Sequence, residues 1–251
     1  MIVLVGLAAH SFLSPRSQLF GPAFTHGNRQ GSLVALTFDD GPNEPYTGQV
    51  LDVLEARGVR ATFFLVGENA LRHPDTVRRQ KDLGMEIGNH GYDHRVLAGQ
   101  PEPELQRQVA LTQRVVQDIT AEPPTWFRPP RGFRGPGLFA QTRRCGLAVA
   151  EWSNMPRDWT RPGADVIARR VLGKLRPGDI ILLHDGERNA AGADRSQTVQ
   201  ALPLILDGIE ARGLRAVTLT ELAAGGGRGL GDYRRLSSRR TAASGDAEGP
   251  D

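Results

Sequence analysis

The feature that most constrains this chain is an apolar run, Ser32-Leu33-Val34-Ala35-Leu36-Thr37-Phe38, that stops on Asp39-Asp40 and turns away at Gly41-Pro42. The run predicts a buried strand, and the Gly-Pro pair ends it, so two carboxylates are delivered to one rim of the fold. Two adjacent acids have no place in a core. Because successive side chains of a strand point in opposite directions, the two can do different jobs: one can bind a cation while the other handles a proton.

About fifty residues downstream, Met85-Glu86-Ile87-Gly88-Asn89 delivers His90-Gly91-Tyr92-Asp93-His94. A three-residue gap brings two imidazoles together on one face of a helical turn or across a tight loop. Two neutral imidazoles and one carboxylate make a three-ligand divalent site with room for water, the composition of a catalytic rather than a structural zinc site. An isolated pair of this spacing reads as solvated loop histidines; the upstream acids reverse that reading. Three later segments add polar groups. Trp126-Phe127-Arg128-Pro129-Pro130-Arg131-Gly132 is a short strand ending in a rigid loop that aims a guanidinium. Trp152-Ser153-Asn154 leads to Asp158-Trp159, and Asp179-Ile180-Ile181-Leu182-Leu183-His184 is a buried-strand pattern that releases a histidine at its end. Each polar group sits at the C-terminal end of a strand, where α/β folds place their chemistry.

Strand patterns at 33–39, 61–67, 85–89, 125–129, 147–152, 179–184 and 214–219 alternate with helical patterns at 48–56, 74–83, 102–119, 138–145, 164–175 and 199–211. Helical crossovers between strands predict a parallel sheet, and spacing alone does not separate an open sheet from a barrel. The 251 residues, 39% hydrophobic and 24% charged, suit one α/β domain. Cys145 is the only cysteine, which excludes an intramolecular disulfide. A formal charge of +3 with scattered rather than striped arginines gives a nucleic-acid binder little support. His10, His26 and His73 lie outside the patterns and read as ordinary surface residues.

The ends are less informative. Residues 1–31 read as an N-terminal arm or a truncated signal or anchor: Ile2 to Ala9 is apolar but too short to span a bilayer, no Lys or Arg precedes it, and 14–31 reads as a lead-in loop. Residues 225–251, with Gly225-Gly226-Gly227, arginines and few apolar residues, read as a disordered tail.

Taken together, Thr37-Phe38-Asp39-Asp40-Gly41-Pro42, His90-Gly91-Tyr92-Asp93-His94, Arg128-Pro129-Pro130-Arg131-Gly132, Asp158-Trp159 and Leu182-Leu183-His184 resemble, in order, the five motifs of the polysaccharide deacetylases, carbohydrate esterase family 4. The resemblance covers roughly residues 32 to 222, within a catalytic domain at 32–224. Two positions depart from the family pattern: Gly91 replaces a Ser or Thr, so a hydroxyl that braces the His loop is missing, and Arg131 stands where an aromatic is commoner. The resemblance implies a distorted (β/α) barrel of about seven parallel strands. It implies that Asp40, His90 and His94 hold a divalent metal, zinc first, with cobalt or nickel as alternatives. Asp39 is then the base, oriented by Arg128; a backbone N–H near Arg131 faces the oxyanion; His184 is the acid, held by Asp158; and Leu182 and Trp159 enclose the acetyl methyl. The implied substrate is an N-acetylated glycan, peptidoglycan or chitin-like, with O-acetyl removal second and a non-carbohydrate amide as the alternative. The implied protein is a monomer outside the cytoplasm or at the cell envelope, with weak membrane association through its N-terminus. A catalytically silent glycan binder is expected to lose Asp39 or a ligand. A metal-independent glycoside hydrolase leaves His90, His94 and His184 unexplained.

Overall fold

The computed structural model describes residues 17–187, 192–230 and 233. Two short strands, β1 (Ala23–Phe24) and β2 (His26–Gly27), lead into β3 (Leu33–Asp39). Then follow α1 (Tyr46–Ala56), β4 (Thr62–Leu65), α2 (Gly67–Arg72), α3 (Pro74–Asp82), β5 (Glu86–Asn89), α4 (Glu102–Thr120) and β6 (Trp126–Phe127). The chain continues through α5 (Pro136–Arg144), β7 (Ala148–Ala150), α6 (Ala164–Leu172), β8 (Ile180–His184), α7 (Ser196–Glu210), β9 (Arg215–Val217), α8 (Leu219–Ala224) and β10 (Gly227–Arg228). Single 3-10 turns occupy Pro130–Gly132 and Asp158–Thr160.

The main sheet is parallel throughout, in the order β1-β7-β6-β5-β4-β3-β8, with β9 pairing along the first half of β3. The chain just beyond β7 crosses to the free edge of β8, where Leu182 N–H donates to Asn154 O at 2.9 Å and Asn154 bridges Ile181. That bridge turns a curled sheet into a distorted (β/α) barrel, and all seven predicted strands are present, β3 over the predicted 33–39 and the other six in shorter form.

The period of two along β3 divides its side chains between two compartments. Val34, Leu36 and Phe38 face the helix layer, where they join Val50, Leu51 and Leu54 of α1 and Leu202 and Ile205 of α7, and Phe38 stacks on Phe63 at 5.0 Å. Ala35 faces inward with Phe24, Phe64, Trp126 and Ile180. Thr37 and Asp39 continue this inner face, so β3 carries a buried carboxylate at the barrel mouth because of where it lies in the alternation.

Three expectations are corrected. Within the stretch read as a lead-in loop, β1 pairs in parallel with β7 (Ala23 with Val149, Phe24 with Ala150) and adds an eighth strand; two residues are too few to show a period. Within the stretch read as disordered, β10 pairs antiparallel with β2, Leu230 is buried, and Tyr233 stacks on Trp126 at 4.7 Å and 6°. Composition averages over that tail and hides the few apolar residues that reach the barrel. Short helices α2 and α8 were also unpredicted, although Thr218 and Glu221 form a capping box, a signal present in the sequence. The arm at 1–16, and the tail from 231 onward apart from Tyr233, lie outside the described residues. Among the described residues no helix is long and apolar enough to cross a membrane.

Candidate active site

Strand β3 ends in a turn whose backbone is tightly held. Asp40 adopts φ 76°, an uncommon conformation for a non-glycine residue. Its carbonyl accepts from Asn69 Nδ2 at 2.8 Å, and Asp39 O accepts from Asp185 N–H at 3.3 Å. Gly41 must be glycine for a packing reason: a Cβ there would lie 2.2 Å from Asp185 Oδ2. The Gly-Pro pair therefore does more than end the strand, since it lets the β8 end press against the acid pair.

His90 leaves the end of β5 with its Nδ1 2.7 Å from Arg128 O. Donation to that carbonyl places the proton on Nδ1 and leaves Nε2 free, 3.4 Å from Asp40 Oδ1. His94 Nε2 lies 3.0 Å from the same oxygen. The segment between them is a loop, not a helical turn. It is braced without the missing hydroxyl: Gly91 N–H donates to Asn89 Oδ1 at 2.9 Å, and Gln108 Oε1 of α4 accepts from Tyr92 N–H at 2.9 Å and Asp93 N–H at 3.2 Å. One ligand atom from each of Asp40, His90 and His94 falls within 4.8 Å of the others, and all three residues are buried. Asp40 Oδ1 has no hydrogen-bond donor. Burial opposes ionisation of Asp40, but His90 and His94 outweigh it and hold the carboxyl well below its ordinary range. A buried, ionised oxygen facing two ring nitrogens with no donor of its own fits a divalent cation.

The other acid points the opposite way. Asp39 Oδ1 receives Arg128 Nη1 at 2.7 Å, while its Oδ2 lies 3.6 Å from His90 Nε2. Arg128 is fully buried, donates also to Thr37 Oγ1 at 2.8 Å and Glu151 O at 3.1 Å, and stacks over the Phe64 ring at 4.1 Å. Across the mouth, His184 at the end of β8 has Nδ1 2.9 Å from Asp158 Oδ1, and its backbone N–H donates to Asp158 Oδ2 at 2.7 Å. Thr198 Oγ1 donates to the same carboxylate at 3.0 Å. Burial disfavours the imidazolium, but Asp158, with Asp40 and Asp39 behind it, prevails and pushes the His184 pKa up to about 9.

A cavity of about 550 Å³ joins these groups. Asp39, Asp40, His90, His94 and His184 line it, and Arg131, Trp159 and Leu182 form part of its wall. Trp159 meets the His184 ring edge-on at 5.0 Å. Arg128 and Asp158 stand behind the cavity, each holding a group that lines it. All ten residues singled out from the sequence thus come together.

Sequence reasoning missed Trp152, Met155, Glu187 and Arg195, which also line the cavity. Arg195 comes from an irregular segment with no periodicity to flag it. It also missed two buried acids behind the site. Glu151 pairs with Arg134, yet burial pushes its carboxyl up to about 7 against the pull of Arg134. Asp185 is likewise raised by burial to about 7 although Thr47 Oγ1 donates to it at 2.7 Å. A charged residue inside a strand pattern, Glu151, was the available signal.

A barrel with an open Asp-His-His donor set beside a held carboxylate and a held imidazole, at the C-terminal ends of its strands, has the layout of a metal-assisted hydrolase. Comparison with known proteins narrows that class. The profile of the family described as polysaccharide deacetylase matches residues 26–150. A peptidoglycan-N-acetylglucosamine deacetylase of Bacillus cereus is 38% identical over 192 residues, 76% of this chain and 87% of that protein. A chitooligosaccharide deacetylase of a Bradyrhizobium species is 38% identical over 212 residues, 81% and 97% of the two chains. Among solved structures, a CE4 family pseudoenzyme from Bacillus anthracis superimposes with a TM-score of 0.74 at 27% identity, covering 80% of this chain and 68% of its own. The chain belongs to the polysaccharide deacetylase family, carbohydrate esterase family 4, and is a hydrolase of its class.

Proposed function

We propose that this protein removes N-acetyl groups from an N-acetylglucosamine-containing glycan, peptidoglycan or a chitin-like polymer, within a catalytic unit spanning 32–224. The observation that carries this reading is the convergence on one cavity of the Asp40-His90-His94 donor set, the Asp39-Arg128 pair and the His184-Asp158 pair. A silent member of the fold needs none of these groups. Relatives named as deacetylases of peptidoglycan and of chitooligosaccharides support the substrate class.

Asp40, His90 and His94 would hold a divalent ion, zinc by the donor set, which when bound would supply Lewis acidity toward the acetamide carbonyl and lower the pKa of a water. Asp39 takes a proton from the attacking water at Oδ2, the oxygen that faces the donor set, while Arg128 holds Oδ1. As the water oxygen bonds to the acetyl carbon, charge builds on the carbonyl oxygen. The Arg131 N–H faces that charge from the left-handed turn at φ 59°, whose own closure uses the Gly132 and Phe133 N–H groups instead. His184 then donates a proton from Nε2 to the departing nitrogen, its Nδ1 held by Asp158. The C–N bond breaks, giving acetate and a free amine. Leu182 and Trp159 enclose the acetyl methyl. From such substrates we infer a site of action outside the cytoplasm or at the cell envelope.

The test is acetate release against a panel of acetylated glycans, with metal content measured on the same preparation. Release from N-acetylated glycans at one ion per chain is the expected result. No release from any acetylated glycan by fully loaded protein overturns the reading.

A further inference from the structure

Resting on that reading, and extending it to the choice of glycan, we propose that the Arg131 side chain is an anion subsite that selects glycans bearing a carboxylate beside the acetamide under attack. Three observations carry this. First, the cavity wall holds two arginines, and only one is spoken for: Arg195 is buried and donates to Gly186 O at 2.8 Å, Asp194 O at 3.3 Å and Glu187 Oε2 at 3.1 Å. Arg131 is exposed on the wall, and among the described residues no carboxylate or carbonyl meets its guanidinium. Glu187, the acid on the same wall, is already engaged by Arg195.

Second, the backbone at Arg131 is held in place. It follows Pro129 and Pro130, adopts φ 59° and ψ 10°, and precedes Gly132 at φ 73°, where a Cβ would lie 2.7 Å from Trp152 Cη2. A non-glycine residue in the left-handed region is disfavoured, and it persists where its surroundings over-determine it. Arg134 secures the turn from behind by donating to Gly132 O at 3.3 Å while pairing with Glu151. The guanidinium therefore hangs from a backbone with little freedom left to lose on binding, which lowers the cost of each contact it makes.

Third, the chemistry of the group is selective. A planar guanidinium presents paired donors that match a carboxylate, whereas a neutral sugar offers only hydroxyls. A peptide-free glycan strand of alternating N-acetylglucosamine and N-acetylmuramic acid carries such carboxylates on its lactyl groups; chitin does not.

The experiment separates this subsite from the reaction itself. Binding of two tetrasaccharides, a neutral chitotetraose and a peptide-free peptidoglycan fragment with free lactyl carboxylates, is measured by calorimetry on metal-loaded Asp39→Asn protein, where turnover does not interfere. The same titrations follow on the Asp39→Asn/Arg131→Met and Asp39→Asn/Arg131→Lys variants. The acidic fragment is expected to bind on the order of tenfold tighter than the neutral one, as a charge-assisted contact gives. That gap should narrow with added salt, collapse with methionine and recover in part with lysine. Equal affinities in the Asp39→Asn protein, no binding of the acidic fragment, or a gap that survives Arg131→Met overturns the proposal. Acetate release from both fragments by the unmodified enzyme judges the deacetylase reading separately.

Discussion

Arg128 Nη1 lies 2.7 Å from Asp39 Oδ1 with both side chains shut away from solvent, one from the end of β6 and the other from the end of β3. The pair ties two strands across the barrel mouth and leaves one carboxylate oxygen free toward the donor set. Breaking a buried pair from one side strands a charge, which typically costs about 3–5 kcal/mol. Arg128→Met is therefore expected to lower stability by that order and to abolish turnover, read by denaturant unfolding and acetate release. A variant as stable as the parent would show that Asp39 is solvated after all.

Asp39→Asn preserves shape but accepts no proton. It should retain its metal and lose on the order of 10²–10⁴-fold in turnover. Asp40→Asn, His90→Ala and His94→Ala should instead lower metal content along with the rate. Near-normal turnover in metal-loaded Asp39→Asn would remove the base assignment.

Chelation should abolish activity and leave the fold intact, because the three ligands come from the β3 and β5 ends while the apolar clusters lie beneath them. Circular dichroism and activity before and after chelation, then after zinc is restored, give the comparison. Full activity in a metal-free sample would end the metal-assisted mechanism.

His184→Ala should harm amide substrates far more than activated aryl acetates, since an amine leaves only when protonated and an activated phenolate needs no such help. Asp158→Asn should do the same more weakly and also shift the pH response. The folded pKa of about 9 lies above the ordinary 6.5, so the stabilisation of His184 by Asp158 is complete below 6.5 and lost as pH rises through 9. Removing the carboxylate lowers the folded pKa, so the alkaline limb of amide turnover should move to lower pH. An unmoved limb, or equal losses on both substrates, would take His184 out of the acid role.

Behind the site, Arg134→Met leaves Glu151 buried without its partner and should destabilise by about 3–5 kcal/mol; Arg134→Met with Glu151→Leu should recover most of that loss. Unfolding of Arg134→Met, Glu151→Leu and the double variant gives a coupling energy. Additive losses would mean that the pair is not a unit.

What the sequence determined by itself was local. An uncharged run ending in two acids and a Gly-Pro turn names β3 and its delivery of Asp39 and Asp40 to a rim, because burial and chain reversal are written in neighbouring residues. Strand ends carrying His90, Arg128 and His184 follow from the same logic. Tertiary structure decided what depends on long-range contact. The bridge from Asn154 to Ile181 makes a barrel of a sheet; β1 and β10 exist only because β7 and β2 offer edges to segments too short to show a period. It also decided which acid faces which partner. Alternation predicts that Asp39 and Asp40 diverge, but only the packing of Arg128 on Phe64 and of His90 on Arg128 O assigns one to a guanidinium and the other to two imidazoles. Buried charge is costly without a partner, and partners some ninety residues apart, such as Asp39 and Arg128, meet only once the barrel has closed.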